Sequence, residues 1–129
     1  LPFCKQSQSG MNRFLKSFKY AMQGIRSGVA DQPNLKILIG IAVAVIGAGF
    51  YFRITSVEWC IVLLCIGLVT GMEMINSAIE SLVDLVTRER MPLAGRIKDI
   101  AAGAVLLVAI ISSVIGIIIF GKYIMQLNV

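Results

Sequence analysis

Residues 73–84 read EMINSAIESLVD, and they run directly on from WCIVLLCIGLVTGM at 59–72, where Glu73 is the first charge after Glu58. Glu73, Asn76, Glu80 and Asp84 are spaced i, i+3, i+7 and i+11. On an α-helix, at about 100° per residue, that spacing gathers all four within an arc of roughly 80°. The stretch therefore reads as one long helix with a polar stripe set into an apolar body. An acid at the centre of a membrane helix costs roughly 2.5–3.5 kcal/mol on insertion scales, and the cost falls toward the interface. A stripe turned to lipid would bear that cost uncompensated. It is expected to face other helices or a wet cavity, with bound cations or basic side chains balancing its charge. Asp84 is the exception, since a solvated acid near the surface needs no partner.

The rest of the chain is of the same kind. Of its 129 residues 57% are hydrophobic and 15% charged, with a mean hydropathy of +0.86, which is more apolar than a soluble domain of this length. Residues 100–121 (IAAGAVLLVAIISSVIGIIIFG) carry no charge and, at about 1.5 Å per residue, can cross a hydrocarbon core of roughly 30 Å. Residues 37–52 are shorter, but Lys36 and Arg53 at their ends can snorkel to the interfaces. The expected fold is all-α and integral to a membrane: an amphipathic surface helix over 12–30 and three spans over about 35–53, 56–86 and 93–121. These form a single domain over 12–129 behind a tail at 1–11. Cys4, Cys60 and Cys65 form no CxxC and there is no histidine, so they read as small apolar filler and not as a disulfide or zinc framework.

Charge orients the molecule. Lys5, Arg13, Lys16, Lys19, Arg26 and Lys36 precede the first span, and Arg88, Arg90, Arg96 and Lys98 lie between the second and third. Three spans put both groups on one side, against only Arg53 and Lys122 on the other. The positive-inside rule makes the basic side cytoplasmic, so a site built from the N-terminus and the 85–99 connection is expected to face the cytoplasm. Within 12–29, Phe14, Leu15, Phe18, Ala21, Met22, Ile25 and Val29 share one helical face, and Arg13, Lys16, Ser17, Tyr20, Gln23 and Ser27 share the other. A basic amphipathic helix before a span lies in the headgroup plane against anionic lipid. That makes the bilayer its expected polyanionic partner, and no nucleic acid is expected.

Two motifs are set aside. Residues 116–122 (GIIIFGK) match the first part of a phosphate-binding loop, but Tyr123 stands where Ser or Thr is required and no strand precedes it. Gly67 and Gly71 form a GxxxG, which is expected to let a neighbouring backbone pack closely just above Glu73.

The stripe itself suits phosphoryl transfer. Mg²⁺ takes one or two carboxylates together with phosphate oxygens and water. A carboxylate at the membrane boundary can accept the proton of a lipid hydroxyl. Spacing alone leaves a cation or proton pathway open, since that too would line up acids on one helix face. A transport stripe should continue outward, however, and residues 57–69 offer only Glu58 and two cysteines. A structural assembly subunit, a third reading, would have no need of Lys98 and Asp99 opposite the carboxylates.

EMINSAIESLVD resembles the signature of the small prokaryotic diacylglycerol kinase family, E-x-x-N-[ST]-A-[IV]-E-x-x-V-D. The likeness extends to GRIKDIAAGAV at 95–105 and RFLKSFKYAMQGIR at 13–26. The resemblance implies a bacterial cytoplasmic-membrane kinase that moves the γ-phosphate of MgATP to a lipid alcohol. It also implies homotrimers with sites shared between neighbouring chains. By motif, Glu73 would be the catalytic base, and Glu80 with Asn76 would hold the metal, supported by Asp84. Arg13, Tyr20, Glu89, Arg90, Met91, Lys98 and Asp99 would bind ATP. The family's second metal-binding Glu falls at Gln32 here, so weaker or altered metal binding is expected. The segments IKDIAAGAV and EWCIVLLCIGLV look more like the undecaprenol kinase branch, which makes undecaprenol the favoured alcohol and diacylglycerol the next.

Overall fold

The computed structural model describes residues 10–127. Residues 1–9 and 128–129, with Cys4 and most of the expected tail, lie outside the described residues. Four helices follow one another: α1 (Gly10–Asp31), α2 (Pro33–Phe52), α3 (Ser56–Val86) and α4 (Pro92–Leu127). The last three are long and apolar enough to cross a membrane, as the sequence leads one to expect.

Local chemistry sets each boundary. Gln32 is extended (φ −110°, ψ 111°) ahead of Pro33 at the start of α2, because the ring of a proline disfavours helical geometry in the residue before it. α2 closes on Arg53 in the left-handed conformation (φ 54°, ψ 56°), its N–H donating to the Gly49 carbonyl, a common way to end a helix. α3 opens with a reciprocal cap: the Glu58 N–H donates to Thr55 Oγ1 at 3.2 Å and the Thr55 N–H to Glu58 Oε1 at 3.0 Å. Pro92 starts α4, where a missing N–H costs nothing.

α3 is the hub, packed along its length on α4 and against α2 and the end of α1. At 31 residues it is about 46 Å long, so part of it extends past a single hydrocarbon core. Its buried residues Val62, Glu73, Asn76 and Val83 share one side. The tightest apolar packing lies at the Thr55 end, where Ile54, Val62 and Ile119 are buried beneath Trp59, Phe52, Phe120 and Tyr123. Most other large apolar side chains, such as Leu64, Phe50, Ile117 and Leu106, are exposed. That is the pattern of helices whose outer faces meet lipid.

Three expectations change. α1 begins at Gly10, inside the expected tail. α4 continues to Leu127, six residues past the expected end at 121, so GIIIFGK is helix and no loop exists there to cradle phosphate. A Cβ on Gly67 or Gly71 would meet nothing within 4 Å. The GxxxG pair lies roughly 140–180° round α3 from Val62, on the face away from α2 and α4, so among the described residues no backbone of another helix approaches it.

Candidate active site

The stripe keeps to one face and sinks inward as it leaves the loop end. Asp84 is exposed, Glu80 half-buried, and Glu73 and Asn76 only 7% and 8% exposed. Asn76 Nδ2 donates to Glu80 Oε1 at 3.5 Å, one turn along. Only the amino end of the amide can donate to a carboxylate, and this orients the group. Asn76 Oδ1 is left buried with no hydrogen-bond partner, and such an acceptor costs about 1–3 kcal/mol. Beside Asn76 the seam between α3 and α4 opens into a cavity of about 290 Å³ walled by aliphatic side chains that include Ile75, Ile79, Ile97 and Ala101.

Among the described residues no basic side chain pairs with Glu73 or Glu80. The two ion pairs lie elsewhere: Lys98 Nζ with Asp84 Oδ1 at 2.6 Å, and Lys122 Nζ with Glu58 Oε2 at 2.5 Å. Ser77 Oγ donates to the main-chain carbonyl of Glu73 at 3.0 Å, so it does not serve the carboxylate. Glu80 and the bare Asn76 carbonyl offer hard oxygens, the type Mg²⁺ takes. Among the described residues no group of three acids or cysteines is assembled into a cage.

The remaining expected site residues are spread over three elements. Gln32 is the half-buried N-cap of α2; its N–H donates to the Gly28 carbonyl at 3.0 Å, and its side chain makes no capping bond. Glu89, Arg90 and Met91 are exposed in the link before α4, where the Glu89 N–H donates to Thr87 Oγ1 at 3.2 Å. Asp99 is exposed next to Lys98. Arg13 and Tyr20 are exposed on α1. Gly28, near the other end of that helix, lies against Leu35 and Met74. Tyr20 and Arg13 are therefore roughly 12 Å and 22 Å along the axis from that contact, and among the described residues neither forms a hydrogen bond or ion pair with the stripe.

Two clusters were not foreseen from the sequence. Asp84, expected to stand solvated without a partner, is instead bonded to Lys98 across the base of the α3–α4 link. At the far end of the same two helices, Glu58 receives Lys122 and also the Tyr123 hydroxyl at 2.5 Å. The pattern Thr55-x-x-Glu58 carries the signal of a capping box. Nothing local announces the pairing with residues 122 and 123.

The prokaryotic diacylglycerol kinase family model matches residues 19–120. The undecaprenol kinase of Bacillus subtilis (strain 168) is 41% identical over 116 residues, covering 90% of this chain and 94% of that protein. The diacylglycerol kinase of Synechocystis sp. is 37% identical, covering 89% of this chain and 66% of its own length. That of Haemophilus influenzae is 29% identical, with 87% and 97% covered. Fold and matches together define a class, the all-helical integral membrane lipid kinases, phosphotransferases with an alcohol acceptor. The chain belongs to the prokaryotic diacylglycerol kinase family.

Proposed function

We propose that this chain transfers the γ-phosphate of ATP to the hydroxyl of a membrane lipid alcohol, undecaprenol in preference to diacylglycerol, at a site facing the cytoplasm of a bacterial inner membrane. The observation that carries the reading is the sunken run Glu73, Asn76 and Glu80, which has an unpartnered carbonyl and, among the described residues, no paired cation. A divalent cation bound to the nucleotide's phosphates would supply its counter-charge. The preference for undecaprenol rests on the 41% identity to the relative of that name.

Glu73 is placed as general base. As the lipid oxygen attacks the γ-phosphorus, its O–H bond breaks and the proton passes to the Glu73 carboxylate. The new P–O bond forms while the bond to the β-phosphate oxygen breaks, releasing ADP. Glu80 and Asn76 Oδ1 would hold Mg²⁺, with the neutral carbonyl of Gln32 a weaker contributor. When bound, that ion withdraws charge from the phosphate oxygens as the transition state forms. Lys98, Asp99 and the 89–91 link would hold the nucleotide from the open end of the seam. Arg13 and Tyr20 would reach it from a neighbouring chain of a homotrimer. The pathway alternative is disfavoured at the Glu58 end, where the next acid along α3 is engaged by Lys122, Tyr123 and its own cap.

Transfer of labelled phosphate from ATP to undecaprenol and to diacylglycerol in mixed micelles tests this directly. Undecaprenol should show the higher kcat/KM, and Glu73→Gln should lower transfer by about 10²–10⁴-fold. Absence of lipid product from both alcohols, or full activity in the variant, overturns the mechanism.

A further inference from the structure

Of the three acids on the stripe, Lys98 pairs with the outermost. Its Nζ lies 2.6 Å from Asp84 Oδ1, with the lysine side chain 37% exposed and the aspartate 61%. Asp84 and Glu80 are four residues apart on the same face, about 5.4 Å along the helix axis, a displacement that the four-carbon stem of a lysine can cover. Glu80 is the more buried of the two acids, and opposite charges attract more strongly where the dielectric is lower. The bond to Asp84 therefore holds Lys98 away from a carboxylate that would otherwise draw it. Glu80 keeps only the Asn76 amide, at 3.5 Å.

We propose that Asp84 is a positioning residue that holds the Lys98 ammonium at the outer rim of the stripe, keeping Glu80 and Asn76 Oδ1 clear for a divalent cation. The proposal rests on the reading of Glu80 and Asn76 as the metal-holding pair. Loss of the Asp84 charge releases Lys98 to swing one turn inward and pair with Glu80, where it competes with the metal for the same oxygens. Asp84 thus acts on the metal through Lys98.

Binding of Mn²⁺ alone to the purified full-length protein in micelles, followed by electron paramagnetic resonance, tests this without turnover. Asp84→Asn is expected to weaken Mn²⁺ binding by about tenfold, the scale of a lost outer contact at a metal site, and Asp84→Glu to restore it. In a Lys98→Gln background the same Asp84→Asn change is expected to move the affinity by less than about twofold, because the two residues act as one unit. Equal weakening in both backgrounds overturns the proposal, since a through-space charge or a general loosening of the fold would act without Lys98. Glu80-dependent Mn²⁺ binding that Asp84→Asn leaves unchanged overturns the proposal alone. Absence of any Glu80-dependent binding in the natural sequence overturns the metal reading along with it.

Discussion

Gly49 lies where α2 passes beneath the indole of Trp59, and a Cβ built there would stand 2.7 Å from the ring. Gly49→Ala should therefore force the ring or the helix to move. A cost of about 1–3 kcal/mol is expected, seen as a lower thermal midpoint in micelles. Gly47→Ala is the internal control: nothing lies within 4 Å of that position, and helix propensity alone favours alanine by up to about 1 kcal/mol. Opposite signs at two glycines two residues apart would verify the close approach; equal midpoints would refute it. The site was legible at this scale as far as periodicity reaches, since Glu73, Asn76 and Glu80 had to share a face if the segment was helical. Periodicity does not say which cation meets which acid. Lys98 and Asp84 are 14 residues apart across a link, and only the path of that link brings them together.

α3 and α4 carry their polar cross-links at the two ends of their seam. Lys98 and Asp84 close one end, and Lys122 and Tyr123 close on Glu58 at the other. Glu58→Gln keeps a side chain that can cap Thr55 but removes the charge that Lys122 meets. Amide hydrogen exchange across 116–127 should quicken in this variant and in Lys122→Met, while 62–80 stays protected. Unchanged exchange in both would show that the outer pairing does not hold the end of α4. The spans themselves were readable from uncharged length, but the end of α4 was not. Hydropathy falls at Lys122, yet the helix runs on because that lysine is paired and no Gly or Pro follows it before Leu127.

The molecule as a whole has little interior. Among the described residues six hydrophobic side chains are buried, Leu35, Val83 and Ala101 among them, while apolar side chains cover the outer faces of α2, α3 and α4. Such surfaces are stable only against lipid or further protein, so orientation in the bilayer is a property of the entire chain. The basic residues gather at the α1 end, which predicts its side. With Cys4, Cys60 and Cys65 replaced by serine, a single cysteine at Gln126 should react with an impermeant maleimide in intact cells. One at Arg88 should react only after lysis, and the reverse pattern would invert the topology. Composition and charge made this arrangement legible. The placement of Arg13 and Tyr20 relative to the stripe was not, because it depends on how α1 lies against α2 and α3. The link at residues 53–55 is abrupt: Arg53 turns left-handed and Thr55 at once caps the next helix. Three residues reach at most about 11 Å when extended, so the end of α2 and the start of α3 cannot part by more than that, and a displacement of either helix along its axis must drag the other with it.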